Sequence, residues 1–311
     1  MESIATREAF GKALLELGHK NNDIVVVGGD LNVSTFAHLF GHEFPDRFFD
    51  FGPAEQNIMS VAAGLASCGK IAVATTFAVF GTGRPFDQIR MQIAQPHANV
   101  KIVCSHAGLT VGEDGSSAQS IEDIGLMCTL PGFNVIIPSD GPEAAQAIKT
   151  AIETPGPFYI RTSRASSPII HDDNYKFELG KAEILHDGKD ATILACGIMV
   201  SAALEAKDNL LRSGIDCSVI NLSNLSPLDT NTILNQAHKT GAFVTAEEHY
   251  IRGGLNSLVS QLITSNYPIP IEPVALTSYG ESGESSELLQ KYNLTAASIE
   301  NAVQKVLQRK S

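Results

Sequence analysis

Short apolar runs rich in β-branched residues alternate along this chain with helix-like segments. No other feature restricts the fold as much. In the first half the runs lie at 24–29 (IVVVGG), 71–80 (IAVATTFAVF), 100–106 (VKIVCSH), 134–138 (NVIIP) and 157–163 (PFYIRTS). Between them, helical spacing occupies 5–18, 55–68, 84–95 and 141–153. Strands that are apolar on both faces need cover on both faces, which a parallel sheet with crossover helices provides. Segment 165–190 breaks the rhythm: it is polar, carries turn residues and reads as a linker leading into a hairpin. A second series then follows, with strands at 191–197, 216–223, 242–249 and 271–277. Helices are expected near 199–213, 229–239, 254–264 and 295–309. The expectation is an α/β protein of two domains, each a mostly parallel sheet flanked by helices. The first domain covers 1–170, a linker 171–190 and the second domain 191–311. A chain of 311 residues suits two domains of ordinary size.

Composition narrows the partners. Hydrophobic residues make up 43% and charged residues 18%, enough to fill real cores. The net charge of -12, with no Lys/Arg-rich run to offset it, argues against nucleic acid and against an acidic membrane surface. The cysteines stand at 68, 104, 128, 196 and 217, an odd count with no CxxC spacing. They read as free, mostly buried thiols rather than a disulfide framework or a structural zinc site. The first residues, MESIATREAFGKALLELG, form an amphipathic helix pattern without the features of a signal peptide. No apolar run approaches the ~20 residues that span a bilayer. A soluble cytoplasmic protein with no membrane partner is expected.

In open parallel sheets ligands bind beyond the carboxyl ends of the strands. The segments in that position here are GGDLNVSTF, GTGRPFDQIR, AGLTVGEDGSSAQ and Arg164. Each alone is an ordinary turn; together they point to one composite site. Glu55 heads the small-residue apolar helix of FGPAEQNIMSVAAGLASCG, where the helix dipole favours a carboxylate. By itself it reads as a capping acid. His106 at the end of a strand fits a core histidine, and VGEDG (111–115) fits a solvated loop or a pair of metal ligands. GTG at 81–83 is too short for a dinucleotide fingerprint, and neither a phosphate-binding G-x-x-x-x-G-K-[ST] nor a G-x-S-x-G elbow occurs.

Taken together, FGPAEQNIMSVAAGLA, ATTFAVFGTGRPFDQIR and SHAGLTVGEDGSSAQSIEDIGLM closely resemble the pyrimidine-binding domain of transketolases. SIATREAF, DLNVS (30–34) and RTSRASSP (161–168) fit the same family. ATILACGIMVSAALEA, VINLSNLSPLD and AEEHYIRGGL resemble its C-terminal domain, so the resemblance covers essentially the whole chain. It implies the thiamine-diphosphate-binding fold in the first domain and a transketolase C-terminal-like second domain. Members of this family bind the cofactor diphosphate through Mg²⁺ and a Gly-Asp-Gly sequence in a further N-terminal domain. No Gly-Asp-Gly occurs here. The chain therefore resembles the C-terminal subunit of a split transketolase. The resemblance implies an N-terminal partner subunit carrying the diphosphate and metal site, an α2β2 heterotetramer, and thiamine diphosphate as cofactor. No metal ligand is assigned to this chain itself.

The same resemblance implies roles for individual residues. Glu55 would bond the N1′ atom of the aminopyrimidine and act as the catalytic acid/base group. Phe77 and Phe80 would wall the pyrimidine pocket, aromatic faces suiting a flat ring. The spacing after Phe80 departs from many transketolases, so Arg84 and Phe86 either complete that wall or begin the next helix. Arg7, Ser34 and Arg164 match positions that hold the phosphate of a sugar phosphate, where a guanidinium offers a fixed fork of donors. His106 would lie near that phosphate or the terminal hydroxyls, and Asp114 would accept hydrogen bonds from a donor hydroxyl. A histidine usual in the family just before Gln119 is replaced by Ala118, and Pro53-Ala54 stands where an arginine is commoner. The implied activity is transfer of a two-carbon ketol unit from a ketose phosphate to an aldose. A deoxyxylulose-phosphate synthase-like enzyme and a 2-oxoacid dehydrogenase β-like subunit are the neighbouring alternatives. The arginines and VGEDG favour transketolase over the latter. A non-catalytic regulatory paralogue is a further alternative, raised by Ala118.

Overall fold

The computed structural model describes residues 2–172 and 174–310. The strands of its first half are β1 (Ser3–Ala5), β2 (Ile24–Gly28), β3 (Phe48–Asp50), β4 (Ile71–Phe77), β5 (Val100–Ser105), β6 (Asn134–Ile136), β7 (Phe158–Arg161) and β8 (Ser166–Pro168). Those of the second half are β9 (Glu183–His186), β10 (Ala191–Ala195), β11 (Cys217–Asn221), β12 (Asn224–Ser226), β13 (Phe243–Tyr250) and β14 (Ile271–Leu276). A seven-stranded sheet runs β12-β6-β7-β5-β4-β2-β3, and a five-stranded sheet runs β14-β13-β10-β11-β9. Pairing within them is parallel except at β12 and β9, which close one edge of each sheet antiparallel. The two-domain, mostly parallel α/β architecture is therefore present.

The β-branched runs became strands because both faces are covered. Ile24 and Val26 face a cluster with Phe10, Leu14 and Phe40, while Val25 and Val27 join Ile58, Met59 and Ile102 on the other side. Full burial of such side chains is worth roughly 1.5–3 kcal/mol each. The second cluster continues into Leu194, Cys196, Ile220, Leu222 and Phe243 of the other sheet, so the two halves share one apolar core.

Four features depart from the periodicity. β12 lies in the second half yet extends the first sheet. Among the described residues, segment 165–190 forms no hairpin of its own: β8 pairs with β1, and β9 joins the second sheet against β11. The run 71–80 stops being a strand at Phe77, after which Ala78–Gly83 coils into a short helix. The helix expected at 84–95 is a turn at Phe86–Gln88 followed by a widened helix over Ile89–Ala94.

The β1–β8 ribbon brings the two ends of the first domain together. Ala5 lies opposite Ser166, Thr6 Oγ1 sits 3.0 Å from Ser163 Oγ, and the Ser163 amide donates to Thr6 Oγ1 at 2.7 Å. A second tie joins the sheets. Asp140 caps the helix Gly141–Glu153 by accepting from the Glu143 amide at 3.0 Å, and also accepts from the amides of Ile170 and His171. The buried His171 ring places Nδ1 2.9 Å from Asp140 and Nε2 2.7 Å from Glu183 on β9. Burial acts to lower the His171 pKa, but hydrogen bonds to Asp140 and Glu183 outweigh it and raise it to about 10.

That shift has a definite sign. A histidine whose folded pKa lies above its unfolded value of about 6.5 contributes stability in full below that pH, and loses it as pH rises through the folded value. Denaturant melts of the parent protein should therefore show a falling midpoint between about pH 7 and pH 10. His171→Gln should remove that part of the slope and cost about 1–3 kcal/mol at pH 7. An unchanged slope in the variant would place the pH dependence elsewhere.

Candidate active site

The site assembles where β2, β4, β5 and β7 end. After β3 the chain turns at Gly52 and enters the helix Glu55–Ser67 with Glu55 in its first turn. The helix buries Ile58, Met59 and Ala62 against the sheet, and Glu55 is only 5% exposed. Arg84 Nη1 lies 3.1 Å from each Glu55 carboxylate oxygen, and its guanidinium carbon sits 4.2 Å above the centre of the Phe80 ring. Pro53, Glu55, Gln56, Asn57 and Arg84 border a concavity of about 440 Å³ beside this pair.

The early end of β4 puts Phe77 at the strand tip and Phe80 on the next turn. Their rings stack at 6.1 Å and 11°. Phe77 also stacks on His106, at 3.6 Å and 16°. His106 reaches that position from a left-handed backbone with φ of 58°, a conformation that costs a bulky residue of order 1–3 kcal/mol and is commonest at functional sites. Its Nδ1 is 2.9 Å from Ser105 Oγ, and its Nε2 is 3.4 Å from Arg7 Nη1.

Arg7 stands on the first turn of the helix Thr6–Lys20, aimed inward by the β1–β8 ribbon. It donates to the backbone carbonyl of Ser34 at 2.7 Å and leaves its buried Nε without a partner. Burial first, then the neighbouring Arg164, lower the pKa of Arg7 from its usual value. Arg164 follows β7, donates to the carbonyl of Val111, and lies 4.0 Å from Asp114. Burial, Arg7 and Arg164 push His106 down to about 3. The imidazole is thus neutral at physiological pH. An anion entering here meets two cations and a neutral ring with hydrogen-bonding capacity.

All nine sequence-expected site residues therefore fall in one continuous row. It runs from Glu55 and Arg84 through Phe80, Phe77 and His106 to Arg7 with Ser34, and on to Arg164 and Asp114. Ser34 contributes its carbonyl to Arg7, not its hydroxyl. Phe86 borders a separate groove with Arg90, His97 and Leu130, away from this row. Ala118 is buried, and the next residue, Gln119, donates to the carbonyls of Leu109 and Glu281.

Sequence reasoning missed the polar layer beneath the site. Arg161 is buried with Asp123 2.8 Å from its Nε, and Tyr159 donates to the same carboxylate at 2.6 Å. Arg161 also donates to the Glu248 carbonyl at 2.9 Å. The only local signal was two adjacent acids, Glu247 and Glu248, inside an otherwise apolar strand. Elsewhere, Asp140, Glu143 and His171 bring ligand-type atoms within 4.8 Å of one another. Those atoms are already bonded to backbone amides, Ser139, Asn221, Tyr175 and each other. No helix among the described residues is long and apolar enough to cross a membrane.

Comparison with known proteins agrees with this geometry. Residues 2–169 match the family "Transketolase, pyrimidine binding domain", and residues 180–299 match "Transketolase, C-terminal domain". The chain is 41% identical to a putative transketolase C-terminal section of Methanocaldococcus jannaschii, covering 97% of this chain and 96% of that protein. It is 38% identical to a 6-deoxy-6-sulfo-D-fructose transketolase subunit of a Clostridium species, covering 98% and 95%. Against human transketolase the identity is 37%, and the chain spans about half that protein, 49% of its length. A solved structure described as a split gene transketolase, an inactive beta4 tetramer, superposes with a TM-score of 0.92 at 45% identity over the full length of both chains. Two family matches in chain order, on a fold whose strand ends gather Glu55, the stacked aromatics and the arginines, lead to one conclusion: this chain belongs to the transketolase family, as a split-transketolase-type subunit made of the pyrimidine-binding and C-terminal domains.

Proposed function

We propose that this chain is one subunit of a transketolase that moves a two-carbon ketol unit from a ketose phosphate to an aldose, completed by an N-terminal-type subunit. The row linking Glu55, through the stacked rings, to the Arg7–Arg164–His106 cluster carries the reading. It joins a place for a flat heteroaromatic ring to a place for an anion. The relatives of equal length support a divided enzyme, and the tetramer described as inactive supports association without activity when this type of chain is alone. An α2β2 heterotetramer, Mg²⁺ held mainly by the partner, and a cytoplasmic setting belong to the same proposal. Nucleic acid and membranes are not among its expected partners.

The residues present fit the pyrimidine half of thiamine diphosphate. A buried carboxylate at a helix head, parallel aromatic faces and a concavity of about 440 Å³ lie together. When bound, thiamine diphosphate supplies the thiazolium carbon that accepts and releases the two-carbon unit. Glu55 holds a proton between its carboxyl oxygen and the ring nitrogen N1′. Arg84 competes for that carboxylate and must yield as a ring edge approaches. Phe77 and Phe80 exclude water from the ring faces. Arg7 and Arg164 bind the substrate's anionic end, His106 adds a neutral hydrogen bond, and Asp114 accepts from a sugar hydroxyl. With Ala118 in place of the usual histidine, the sugar end is open to a variant substrate. The named substrate class of the Clostridium relative is one such variant.

Three outcomes follow. The purified chain, given Mg²⁺ and thiamine diphosphate, should show no ketol transfer until a subunit carrying Gly-Asp-Gly is added. Transfer by the single chain would refute the divided site. Glu55→Ala in the assembled complex should lower turnover by roughly 10²–10⁴-fold without loss of association, read by steady-state kinetics at saturating cofactor and by sedimentation. Parental turnover would reduce Glu55 to a helix cap. Arg164→Ala should raise KM for a phosphorylated sugar by about ten- to a hundred-fold, yet scarcely alter weak activity on an unphosphorylated analogue. Equal losses on both substrates would assign Arg164 to structure.

A further inference from the structure

The segment 108–115 carries Asp114 to the arginines, and its backbone is held from both domains: the Gly108 amide donates to the Ser120 carbonyl, Gln119 donates to the Leu109 carbonyl and Arg164 to that of Val111, while three further bonds come from the second domain. Glu248, on β13 and fully buried, accepts from the Thr110 amide at 2.5 Å. Ser285 Oγ donates to the Thr110 carbonyl at 3.0 Å, and Ser282 Oγ donates to the Glu113 carbonyl at 2.5 Å. The approach is close enough to demand glycine. A Cβ on Gly108 would fall 2.2 Å from the Glu248 carboxyl carbon, and one on Gly112 would fall 3.0 Å from Ser285 Oγ. Both glycines also have left-handed φ, 79° and 80°, which a side chain would strain.

Three second-domain side chains thus bond the amide and carbonyl of Thr110 and the carbonyl of Glu113, on either side of Val111, whose carbonyl accepts from Arg164. None of the three is recorded bonding to Glu55, the aromatic pair or the arginine heads. Among the described residues the loop lacks regular strand or long-helix structure of its own. It bends at Gly112, with φ of 80° and ψ of -121°. Bonds from outside the segment supplement its own tight turn, in which the Gly115 amide donates to the Gly112 carbonyl. Asp114 is 43% exposed at its side chain and lies 4.0 Å from Arg164.

From this arrangement we infer that Glu248, Ser282 and Ser285 are positioning residues for substrate binding: the second domain sets where Asp114 stands and so contributes to the choice of sugar. The inference rests on the substrate-binding reading of Asp114 given above. It assigns the second domain a part in sugar binding separate from holding the cofactor ring.

The test uses the complex assembled with an N-terminal-type transketolase subunit, assayed with fructose 6-phosphate. Ser282 is exposed and Ser285 half-buried, so the pair Ser282→Ala, Ser285→Ala leaves the core untouched. Losing two hydrogen bonds should raise KM for the ketose phosphate by about three- to thirty-fold. The turnover number and the half-saturating thiamine diphosphate concentration should stay within about two-fold of the parent. Hydrogen exchange of amides 109–116 should quicken while protection elsewhere is unchanged. Ser285→Thr, which keeps the hydroxyl, should restore part of the affinity to Ser282→Ala, Ser285→Ala when it replaces the second alanine. Asp114→Ala in the same assay separates the two claims. If it leaves KM unchanged, the substrate reading fails and takes this proposal with it. If it raises KM while the serine pair leaves KM and exchange at parental values, the positioning role alone is overturned. Equal losses in turnover and cofactor binding by the serine pair would likewise overturn it, as the mark of general disruption.

Discussion

A guanidinium buried in a protein must be surrounded by acceptors, and the burial of Arg161 organises much of this molecule. It stands at the end of β7, 6% exposed, and taking its charge out of water is costly. Asp123 at 2.8 Å, the carbonyls of Ser120 and Glu248, and the Glu248 carboxylate at 4.0 Å offset that cost. Although desolvation acts to lower its pKa, Asp123 and then Glu248 hold it above the usual arginine value. The cation stands on a strand of the first sheet, and its acceptors come from β13 of the second sheet, from the connection after the VGEDG loop and from the head of the helix Asp123–Cys128. Satisfying one cation therefore fixes the interface of the two domains and the base of the substrate loop together. Breaking such a buried pair typically costs about 3–5 kcal/mol.

The chemistry above this layer depends on keeping like charges close without collapse. Burial first, and then repulsion from Arg164, lower the pKa of Arg7. Between them His106 is kept neutral, so that the cluster does not gain a third charge. Asp114 and two backbone carbonyls take up part of the excess. A cluster of this kind is stable but unsaturated, with the Arg7 Nε unpartnered.

Much of this arrangement was legible before any coordinates. The β-branched runs at 24–29, 100–106, 134–138 and 157–163 all contain strands, because burial on both faces selects stiff apolar side chains locally. Short pieces escaped detection: β3, β12 and the helices His38–Glu43 and Asp123–Cys128 are each too brief to show a period. The end of β4 at Phe77 was also hidden, since Ala78, Val79 and Phe80 continue the apolar run although the backbone has turned helical. Glu55, Arg7 and Arg164 came into view through their family setting rather than their spacing. A lone acid at a helix head and a lone arginine after a strand have ordinary explanations.

By itself the sequence determined the type of the longer elements, the parallel character of both sheets and the net negative charge, and it named candidate site residues. These follow from local periodicity, charge and the order of short motifs. Tertiary structure decided which of those residues meet. Arg7 and Arg164 are 157 residues apart and become neighbours only through the β1–β8 ribbon and the Thr6–Ser163 pair. β12 left its own half to complete the first sheet, because an open edge beside β6 was available to pair its backbone. Glu248 became the anchor of a loop 138 residues away. Such contacts are set by where whole layers pack, and close packing transmits that placement to single side chains in ways that no local pattern records.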